Sequence, residues 1–266
     1  MFQERIHLNN GTFIPLLGLG TFHLSPPNTH RAVAHAIQIG YRHIDTAAYY
    51  GNETEVGQAI SESGIPREEI FVTTKLWNDD HDDPRGAFEA SLQRLGLDYV
   101  DLYLIHWPVE QRIASWKALE KLDRSVCRAI GVSNFTIAHL SELLAAARNV
   151  PAVNQVEFSP FLYQKELLQF CQSKGIVLEG YCPLTRGRKF HDPRLQRMAK
   201  KYGKTPAQIL IRWALQHHIV TIPKSSHPKR IEENADMDFS ISEKDMQEMD
   251  RWNENFHVSW NPTALP

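Results

Sequence analysis

The sequence is poor in cysteine, has no long apolar run and shows no excess of charge of one sign. Only three of its 266 residues are cysteines, and no C-x-x-C pair occurs. The longest mainly apolar stretches, such as residues 14–19 and 209–215, are far shorter than the roughly 18 residues that a membrane span needs. Glu4, Arg5 and His7 stand where a signal peptide would need an apolar core. These absences predict reduced thiols, a cytoplasmic location and no membrane partner.

The charge balance argues against nucleic acid as a partner. Lysine and arginine number 29 and aspartate and glutamate 31, so the formal net charge is −2. Broad binding to nucleic acid requires a concentrated positive field, which this balance does not supply. The remaining composition is typical of a globular protein, and no break in composition or low-complexity stretch marks a linker. We therefore expect a single domain over residues 1–266.

Eight short apolar runs alternate with amphipathic stretches of helical length. Several runs carry apolar residues in succession, as strands buried on both faces do. Their ends lie about 23 to 43 residues apart, the size of a right-handed βαβ unit. The pattern predicts an α/β protein with a (β/α)8 TIM barrel, and an open doubly wound sheet is the alternative. The predicted strands lie at residues 16–21, 43–47, 70–77, 100–107, 128–133, 152–158, 177–182 and 219–224.

Helix boundaries and an N-terminal hairpin support the same interpretation. Several predicted helices begin at a proline or end at a glycine, the residues favoured at those positions. Asn9-Asn10-Gly11 separates two short β-type segments and predicts a β-hairpin that could plug one mouth of the barrel. The predicted helices lie at residues 28–39, 84–95, 136–147, 165–173 and 205–216, with an extra helix around 195–201.

Polar residues end nearly all of the apolar runs. In a barrel of this kind the active site lies at the carboxyl ends of the strands, so these residues converge on one concave mouth. Burying Asp, Lys or His without a partner is costly, which makes their presence at strand ends informative. The terminal residues, in chain order, are Thr21-Phe22, Asp45, Lys75, His106, Ser133-Asn134, Gln155 with Glu157, Tyr181 and Lys224-Ser225.

Four of these side chains form a candidate proton-donating set. Tyr50 follows Asp45 by five residues, and Lys75 and His106 end the third and fourth runs. A free phenol has a pKa near 10, and a neighbouring ammonium would lower it toward the range useful for acid catalysis. Asp45 could hold Lys75 charged, and His106 could donate a second hydrogen bond to a substrate oxygen. Taken singly, each has an ordinary structural role: helix cap, packing, solvated charge and core histidine.

Several familiar signatures are absent. Gly18-Leu19-Gly20 begins a dinucleotide fingerprint, but His23 stands where its last glycine would be. No P-loop, no H-E-x-x-H metal motif and no G-x-S-x-G elbow occurs, so no metal is expected. The cations after the eighth run predict a phosphate site at a helix N-terminus, with a basic surface turn as the alternative. A hydrolase or isomerase using Asp45 and Glu157 stays open.

The motifs around these residues resemble those of the aldo-keto reductases over essentially the whole chain. The resemblance is strongest to the short-loop prokaryotic branch that includes 2,5-diketogluconate reductases. The motifs are Gly18-Leu19-Gly20-Thr21, Asp45-Thr46-Ala47-Ala48-Tyr49-Tyr50-Gly51-Asn52-Glu53, Thr74-Lys75-Leu76-Trp77, Leu104-Ile105-His106-Trp107-Pro108, Gly131-Val132-Ser133-Asn134-Phe135 and Ile222-Pro223-Lys224-Ser225.

The resemblance implies NADPH-dependent reduction of aldehydes or ketones to alcohols. It implies a catalytic tetrad of Asp45, Tyr50, Lys75 and His106, with Tyr50 as the general acid. It also implies that a C-terminal tail folds over the active-site mouth and that the protein is a monomer acting on a small carbonyl compound.

The same resemblance implies two further residue sets. Phe22, Trp77 and Trp107 would contact the substrate. NADPH or NADP+ would bind extended, with the nicotinamide amide held at Ser133, Asn134 and Gln155, its ring stacked on Tyr181, and the 2′-phosphate and adenine held at the loop and helix after the eighth strand. The implied cofactor residues are Thr21, Ser133, Asn134, Gln155, Tyr181, Cys182, Leu184, Lys224, Ser225, Arg230, Glu233 and Asn234.

Two departures from the family pattern bear on the site. Cys182 stands where the Tyr-Ser-Pro-Leu motif has serine, which replaces a hydroxyl near the implied pyrophosphate with a thiol. Only Val109 to Gln111 separate Trp107-Pro108 from the next helix, so the pocket should be more open than in longer-loop relatives. A catalytically silent NADPH-binding barrel that acts as a regulatory subunit is the alternative function, although an intact proton-donating set argues against it.

Overall fold

The described chain, residues 4–265 of a computed structural model, begins with a β-hairpin. β1 (Arg5–His7) and β2 (Phe13–Pro15) pair antiparallel, and Gly11 has a positive φ of 85° at the turn between them. The turn lies at the N-terminal ends of two barrel strands, because Asn9 Nδ2 donates to the Pro151 carbonyl (3.0 Å) and Asn10 Nδ2 to the Arg128 carbonyl (2.9 Å). The hairpin predicted from the sequence is confirmed, and it covers the face opposite the strands' carboxyl ends.

Eight parallel strands follow in one sheet, and each pairs with its neighbour in the chain. This order is that of a (β/α)8 barrel, and the strands begin and end within a few residues of the predicted runs. Their bounds are β3 (Leu19–Gly20), β4 (His43–Asp45), β5 (Phe71–Leu76), β6 (Val100–Ile105), β7 (Cys127–Ser133), β8 (Val153–Glu157), β9 (Val177–Tyr181) and β10 (Val220–Thr221).

Backbone hydrogen bonds between the first and last strands close the sheet into a barrel. The amide of Gly18 donates to the Thr221 carbonyl (2.9 Å), and the Thr221 amide donates to the carbonyl of Leu16 (2.9 Å). Gly18 is required at this seam, because a Cβ there would lie 2.6 Å from Nδ1 of His43. An open doubly wound sheet has free edges, so this closure rules out the alternative architecture.

Ten α-helices accompany the strands within residues 4–265. Pro and Gly mark several of their ends as predicted: α3 starts at Pro84 and stops at Gly96, whose left-handed conformation serves as its C-cap. The helices are α1 (Pro26–Gln38), α2 (Glu53–Glu62), α3 (Pro84–Leu95), α4 (Arg112–Leu119), α5 (Ile137–Ala146), α6 (Lys165–Ser173), α7 (Pro193–Tyr202), α8 (Pro206–Gln216), α9 (Pro228–Ala235) and α10 (Glu243–Met249). None of them is both long and apolar enough to cross a lipid bilayer.

The segment after α10 runs across the carboxyl-end mouth of the barrel. Trp252 is buried against Phe161, with ring centroids 5.7 Å apart, so it is a packing residue. Farther along, Trp260 is 59% exposed and lies against Trp107 at a centroid distance of 5.5 Å. The predicted tail over the mouth is therefore present, and it contributes an aromatic side chain to the rim.

Candidate active site

Asp45, Lys75 and Tyr50 meet in a hydrogen-bonded cluster at the carboxyl ends of β4 and β5. Lys75 Nζ donates to Asp45 Oδ1 (2.8 Å), to the carbonyl of Thr46 (2.8 Å) and to the hydroxyl of Tyr50 (3.3 Å). An ammonium has three hydrogens, and all three have an acceptor here. Lys75 is fully buried and Asp45 is 2% exposed, so the pair attracts strongly in a region of low dielectric. Lys75 thus joins Asp45, the loop after β4 and Tyr50 in one hydrogen-bonded unit.

A short 3₁₀ turn presents Tyr50 to this pair. The turn spans Ala48–Tyr50 and ends at Gly51, whose positive φ of 63° turns the chain into α2. The phenol ring packs against Phe22, with ring centroids 4.8 Å apart. The 3₁₀ turn and the contact with Phe22 together hold the Tyr50 hydroxyl beside the Lys75 ammonium.

The protonation of Tyr50 differs from the sequence-based expectation. Burial and repulsion by Asp45 raise the pKa of Tyr50 well above that of a free phenol, with Glu179 among the smaller causes. The predicted lowering of the Tyr50 pKa by Lys75 is wrong. The free-energy cost of desolvating the phenolate is larger than its attraction to the ammonium, so the pKa rises. Tyr50 therefore holds its proton throughout the neutral range.

His106 completes the cluster directly after β6. Its backbone amide donates to the Leu76 carbonyl (3.1 Å), and its ring lies edge-on to Tyr50 at a centroid distance of 5.7 Å. Burial and the Lys75 charge lower the pKa of His106 well below the usual value, so the imidazole is neutral. A neutral imidazole can donate one hydrogen bond without placing a second cation beside the lysine.

Asp45, Tyr50 and His106 line a cavity of about 680 Å³ at the barrel mouth, and Lys75 lies buried behind them. The volume suits a small molecule with part of a cofactor. Three aromatic residues predicted to contact substrate, Phe22, Trp77 and Trp107, line it. Tyr49 is not among the predicted substrate residues, yet it also lines the cavity: its ring stacks on Trp77 at 3.8 Å, and it is 46% exposed.

Residues from three neighbouring strands form one polar wall of the cavity. Asn134 Nδ2 donates to the carbonyl of His106 (2.9 Å), and its Oδ1 accepts from the hydroxyl of Tyr181 (2.7 Å). Ser133 Oγ donates to the carbonyl of Gln155 (2.8 Å). Nε2 of Gln155 points inward to Asp45 Oδ2 (2.7 Å), and its Oε1 accepts no hydrogen bond from residues 4–265. This oxygen is free to accept from a carboxamide.

Cationic side chains mark the far end of the cavity. Lys224, Arg186 and Cys182 line it together with Leu184. Lys224 and Arg230 have no carboxylate within ion-pair distance anywhere in the part of the chain that the structure describes. The predicted residues beyond Lys224 lie on the adjoining loop and on α9 rather than in the cavity lining: Ser225, Arg230, Glu233 and Asn234.

Thr21 differs from the other predicted cofactor residues near the cavity. Its side chain is fully buried, and its hydroxyl donates to the Asp45 carbonyl (2.9 Å). Gly20, Phe22 and His23 line the cavity in its place. The Thr21 hydroxyl is therefore bonded to the end of β4, and the assignment of Thr21 to the cofactor stays a prediction.

Backbone strain concentrates at this mouth. Seven non-glycine residues among 4–265 have a positive φ, and His23, Asn134, Cys182 and Arg186 among them line the cavity. Side chains other than glycine adopt this conformation at a cost, and such residues cluster at functional sites. Within the same described part of the chain, no three His, Cys, Asp or Glu side chains are grouped so as to hold a metal ion.

Glu157, the alternative catalytic carboxylate, has a structural partner. Its Oε1 accepts from the amide of Val258 (2.7 Å) and its Oε2 from that of Ser259 (3.0 Å). Burial raises the pKa of Glu157, and these two amides oppose the rise. The carboxylate thus fastens the tail over the cavity, and both of its oxygens are used.

Comparison with known proteins gives a consistent result. The model of the "Aldo/keto reductase family" matches residues 16–254. A glyoxal reductase from Bacillus subtilis is 49% identical over 99% of this chain and 98% of its own length.

Two solved structures share the fold. An aldo-keto reductase from a Medee basin deep-sea metagenome library superimposes with a TM-score of 0.94, at 43% identity over 98% of this chain and 99% of that one. A Bombyx mori aldo-keto reductase in complex with NADP gives 0.93, at 37% identity over 100% of this chain and 98% of that one.

Proposed function

This chain is an oxidoreductase of the aldo/keto reductase family, and we propose that it uses NADPH to reduce aldehydes or ketones to alcohols, with Tyr50 as the proton donor. The observation that carries the proposal is the contact of the Tyr50 hydroxyl with Lys75 Nζ at 3.3 Å, beside a neutral His106 and open to the cavity. A protein that only bound the cofactor would not need a protonated tyrosine beside a lysine in this cavity.

The cavity residues fit the cofactor. Gln155 offers an unused amide oxygen and Asn134 an amide on the same wall, as a nicotinamide carboxamide requires. Lys224 and Arg230 lack carboxylate partners within residues 4–265, as a 2′-phosphate site requires. A charge-assisted hydrogen bond contributes about 1.5 to 3 kcal/mol, which favours NADPH over NADH. The bound reduced nicotinamide would supply a hydride to the carbonyl carbon.

Side chains of the protein bind and protonate the carbonyl oxygen of the substrate. Tyr50 and His106 line the same cavity with ring centroids 5.7 Å apart, so a substrate oxygen bound between them would accept a hydrogen bond from both. As negative charge grows on that oxygen, the O–H bond of Tyr50 breaks and its proton joins the new alkoxide, a stronger base than a phenolate. Lys75, which is paired with Asp45, stabilises the phenolate left behind.

Two other functions fit less well. The silent-binder alternative leaves the Tyr50–Lys75 contact without a purpose. The hydrolase alternative needs Glu157 free, whereas both of its oxygens accept amide hydrogens from the tail.

We further propose membership of the short-loop prokaryotic branch. Only a few residues separate the end of β6 from α4 (Arg112–Leu119), so no long loop covers this side of the cavity. The aromatic wall formed by Trp77, Tyr49 and Trp107 suits flat or apolar carbonyl compounds. The likeness to a protein named glyoxal reductase adds small dicarbonyls to the candidates.

The organisation and location of the protein are also proposals. A single cluster of buried apolar side chains supports one domain. A monomer is what the family resemblance implies, and gel filtration tests it. The free thiols of all three cysteines support a cytoplasmic location.

Turnover tests the reaction directly. NADPH oxidation is followed by the absorbance of the reduced nicotinamide with a panel of aldehydes, dicarbonyls, keto sugars and keto acids. We expect saturable oxidation with at least one aldehyde or dicarbonyl, and the corresponding alcohol as product. NADPH binding without turnover across the panel would support the silent barrel instead.

A further inference from the structure

A buried carboxyl and a buried imidazole lie beneath the Tyr50–Lys75 cluster, and the mechanism above does not use them. Glu179 lies in the middle of β9 and His43 begins β4, and both side chains are 0% exposed. The interior layers of a barrel are normally filled by bulky branched apolar residues. Two ionisable groups at such a depth are costly unless a specific arrangement accommodates them.

Glu179 is linked to the reactive groups through Gln155. Gln155 Nε2 donates to Asp45 Oδ2 at 2.7 Å and to Glu179 Oε2 at 3.1 Å. Two carboxyl groups thus share the hydrogens of one amide nitrogen. They fix which way the amide is turned, and Gln155, which lines the cavity, keeps an Oε1 that accepts no hydrogen bond from residues 4–265.

The remaining oxygen of Glu179 faces an imidazole. Glu179 Oε1 lies 3.5 Å from His43 Nε2, which in turn is 3.3 Å from the hydroxyl of Thr73. Burial lowers the pKa of His43 to about 3, so the ring is neutral and its Nε2 can accept a hydrogen. His43 therefore does not supply a positive charge to neutralise a Glu179 carboxylate.

Within residues 4–265, Lys75 is the one cation close to the carboxyl groups of both Asp45 and Glu179. The charged or titratable groups facing Glu179 are His43 and Asp45 from β4 and Lys75 from β5, and Tyr50 lies above them. Lys75 contacts Asp45 at 2.8 Å but makes no hydrogen bond to Glu179. Burial and repulsion by Asp45 raise the pKa of Glu179 to about 8. The negative charge therefore stays on Asp45 and the proton on Glu179.

We propose that Glu179 is a positioning residue of the reductase site: its carboxyl stays protonated during turnover, so that the Asp45–Lys75 pair alone sets the charge beneath Tyr50, and it turns the Gln155 amide oxygen toward the cofactor. This inference rests on the function proposed above. When Glu179 loses its proton at high pH, a second negative charge opposes formation of the Tyr50 phenolate. The proton-transfer step then becomes slower.

The protonation is tested on the protein without cofactor. Infrared difference spectra of wild type and Glu179→Gln are recorded from pH 6 to pH 10. We expect the carbonyl band of a buried carboxylic acid in the wild type at neutral pH, its loss at alkaline pH and its absence from the variant. The matched control is Asp101→Asn, which removes a buried carboxyl at the other end of the barrel, bonded to Arg67 and Arg128. An acid band that survives in Glu179→Gln overturns the proposal.

The effect on catalysis is tested by pH profiles. Glu179→Gln keeps the length and the acceptor for Gln155, so we expect NADPH affinity close to wild type and an alkaline limb of kcat displaced upward by about half a pH unit or more. Glu179→Met removes the acceptor, and we expect it to weaken NADPH binding by about threefold to tenfold. Asp101→Asn should change thermal stability but leave the pH profile in place.

The outcomes separate this inference from the proposed function. A wild-type pH profile in Glu179→Gln, together with wild-type NADPH binding in Glu179→Met, overturns the positioning role. A wild-type protein that shows the acid band but reduces no carbonyl compound contradicts the proposed reaction, whereas protonation of Glu179 would stand.

Discussion

At the scale of single residues, the hydrogen bond between Lys75 and Tyr50 couples the ammonium to the proton donor. All three ammonium hydrogens of Lys75 have acceptors inside the protein, and one acceptor is the Tyr50 oxygen. The phenol keeps its proton because burial and Asp45 disfavour the phenolate. Tyr50 is thus protonated before the reaction, and the Lys75 ammonium stabilises the phenolate that forms when the proton leaves.

Replacing Tyr50 with phenylalanine should remove the proton donor and little else. We expect kcat for aldehyde reduction to fall by about 10² to 10⁴-fold, the usual contribution of a general acid. NADPH affinity, measured by fluorescence titration, should be unchanged. Tyr49→Phe makes the same change at the adjacent, half-exposed ring and should retain most of the turnover. Comparable kcat values for the two variants would remove Tyr50 from the acid role.

Cofactor choice is expected to depend on two exposed cations. Lys224→Ala or Arg230→Ala should raise the dissociation constant for NADPH by about tenfold to a hundredfold, because each removes a charge-assisted contact to the 2′-phosphate. NADH affinity should barely change. Isothermal titration with both nucleotides measures the difference, and Lys229→Ala, an exposed neighbour on α9, is the control. Equal losses for NADPH and NADH would mean that the 2′-phosphate binds elsewhere.

At the scale of elements, the barrel strands hold the reactive groups and the tail finishes the mouth. Asp45, Lys75, Gln155 and Tyr181 all come from strand ends whose register is fixed by neighbours. The tail is held by the Glu157 carboxylate, which accepts the amides of residues 258 and 259. Chemistry and access therefore belong to different parts of the chain.

Glu157→Gln should loosen the tail without disturbing the chemistry. The amide nitrogen cannot accept from a backbone amide, so one anchoring bond and the negative charge are lost. We expect faster hydrogen exchange at Val258 and Ser259 by about tenfold or more, and a higher KM for substrates that reach Trp260, at constant kcat. Glu166→Gln on the exposed side of α6 is the control. Unchanged exchange at both amides would show that the tail is held by other contacts.

Sequence patterns predict where the strands and helices lie, but they do not predict which polar side chains are buried inside the barrel. The apolar runs predict the barrel and the motifs at their ends indicate the family, because parallel strands carry a strong local signal and converge at one edge. The Asn9-Asn10-Gly11 turn predicts the hairpin. None of these patterns marks Glu179, although it interrupts an apolar run. It also lies two residues before Tyr181, and this spacing places both side chains on the same face of the strand.

The direction of the Tyr50 pKa shift was wrong for a related reason. A sequence shows that a lysine follows a strand but does not show how deeply the phenol is buried or that Asp45 and Glu179 both lie below it. Desolvation depends on the packing of the whole barrel mouth. The roles assigned to the site residues stay predictions until the variants above are measured.

At the scale of the whole molecule, buried histidines tie stability to pH. Burial lowers the pKa of His43 to about 3, and that of His106 well below its usual value. Above the ordinary histidine value, folded and unfolded chains are both neutral at these positions. As the pH falls below it, the unfolded chain takes up protons that the folded barrel cannot. Stability from these groups is therefore complete above about pH 6.5 and is lost on acidification toward the folded values.

His43→Asn should reduce this acid sensitivity. Between pH 7 and pH 5.5 the wild type is expected to lose about 1 kcal/mol more unfolding free energy than the variant, since one histidine no longer distinguishes the two states. Urea unfolding at both pH values measures the difference. Glu179, whose raised pKa acts in the opposite direction, is common to both proteins. His191→Asn, at an exposed position, should behave like the wild type. A parallel loss of stability in wild type and His43→Asn would mean that His43 is protonated in the folded barrel.

The Glu157 carboxylate holds the tail through the backbone amides of Val258 and Ser259, so the tail can change its side chains and keep this attachment. A library confined to residues 257–265 would alter which molecules enter while the proton donor, its lysine and the cofactor wall are inherited intact. New selectivities could thus accumulate one at a time, without a non-functional ancestor between them.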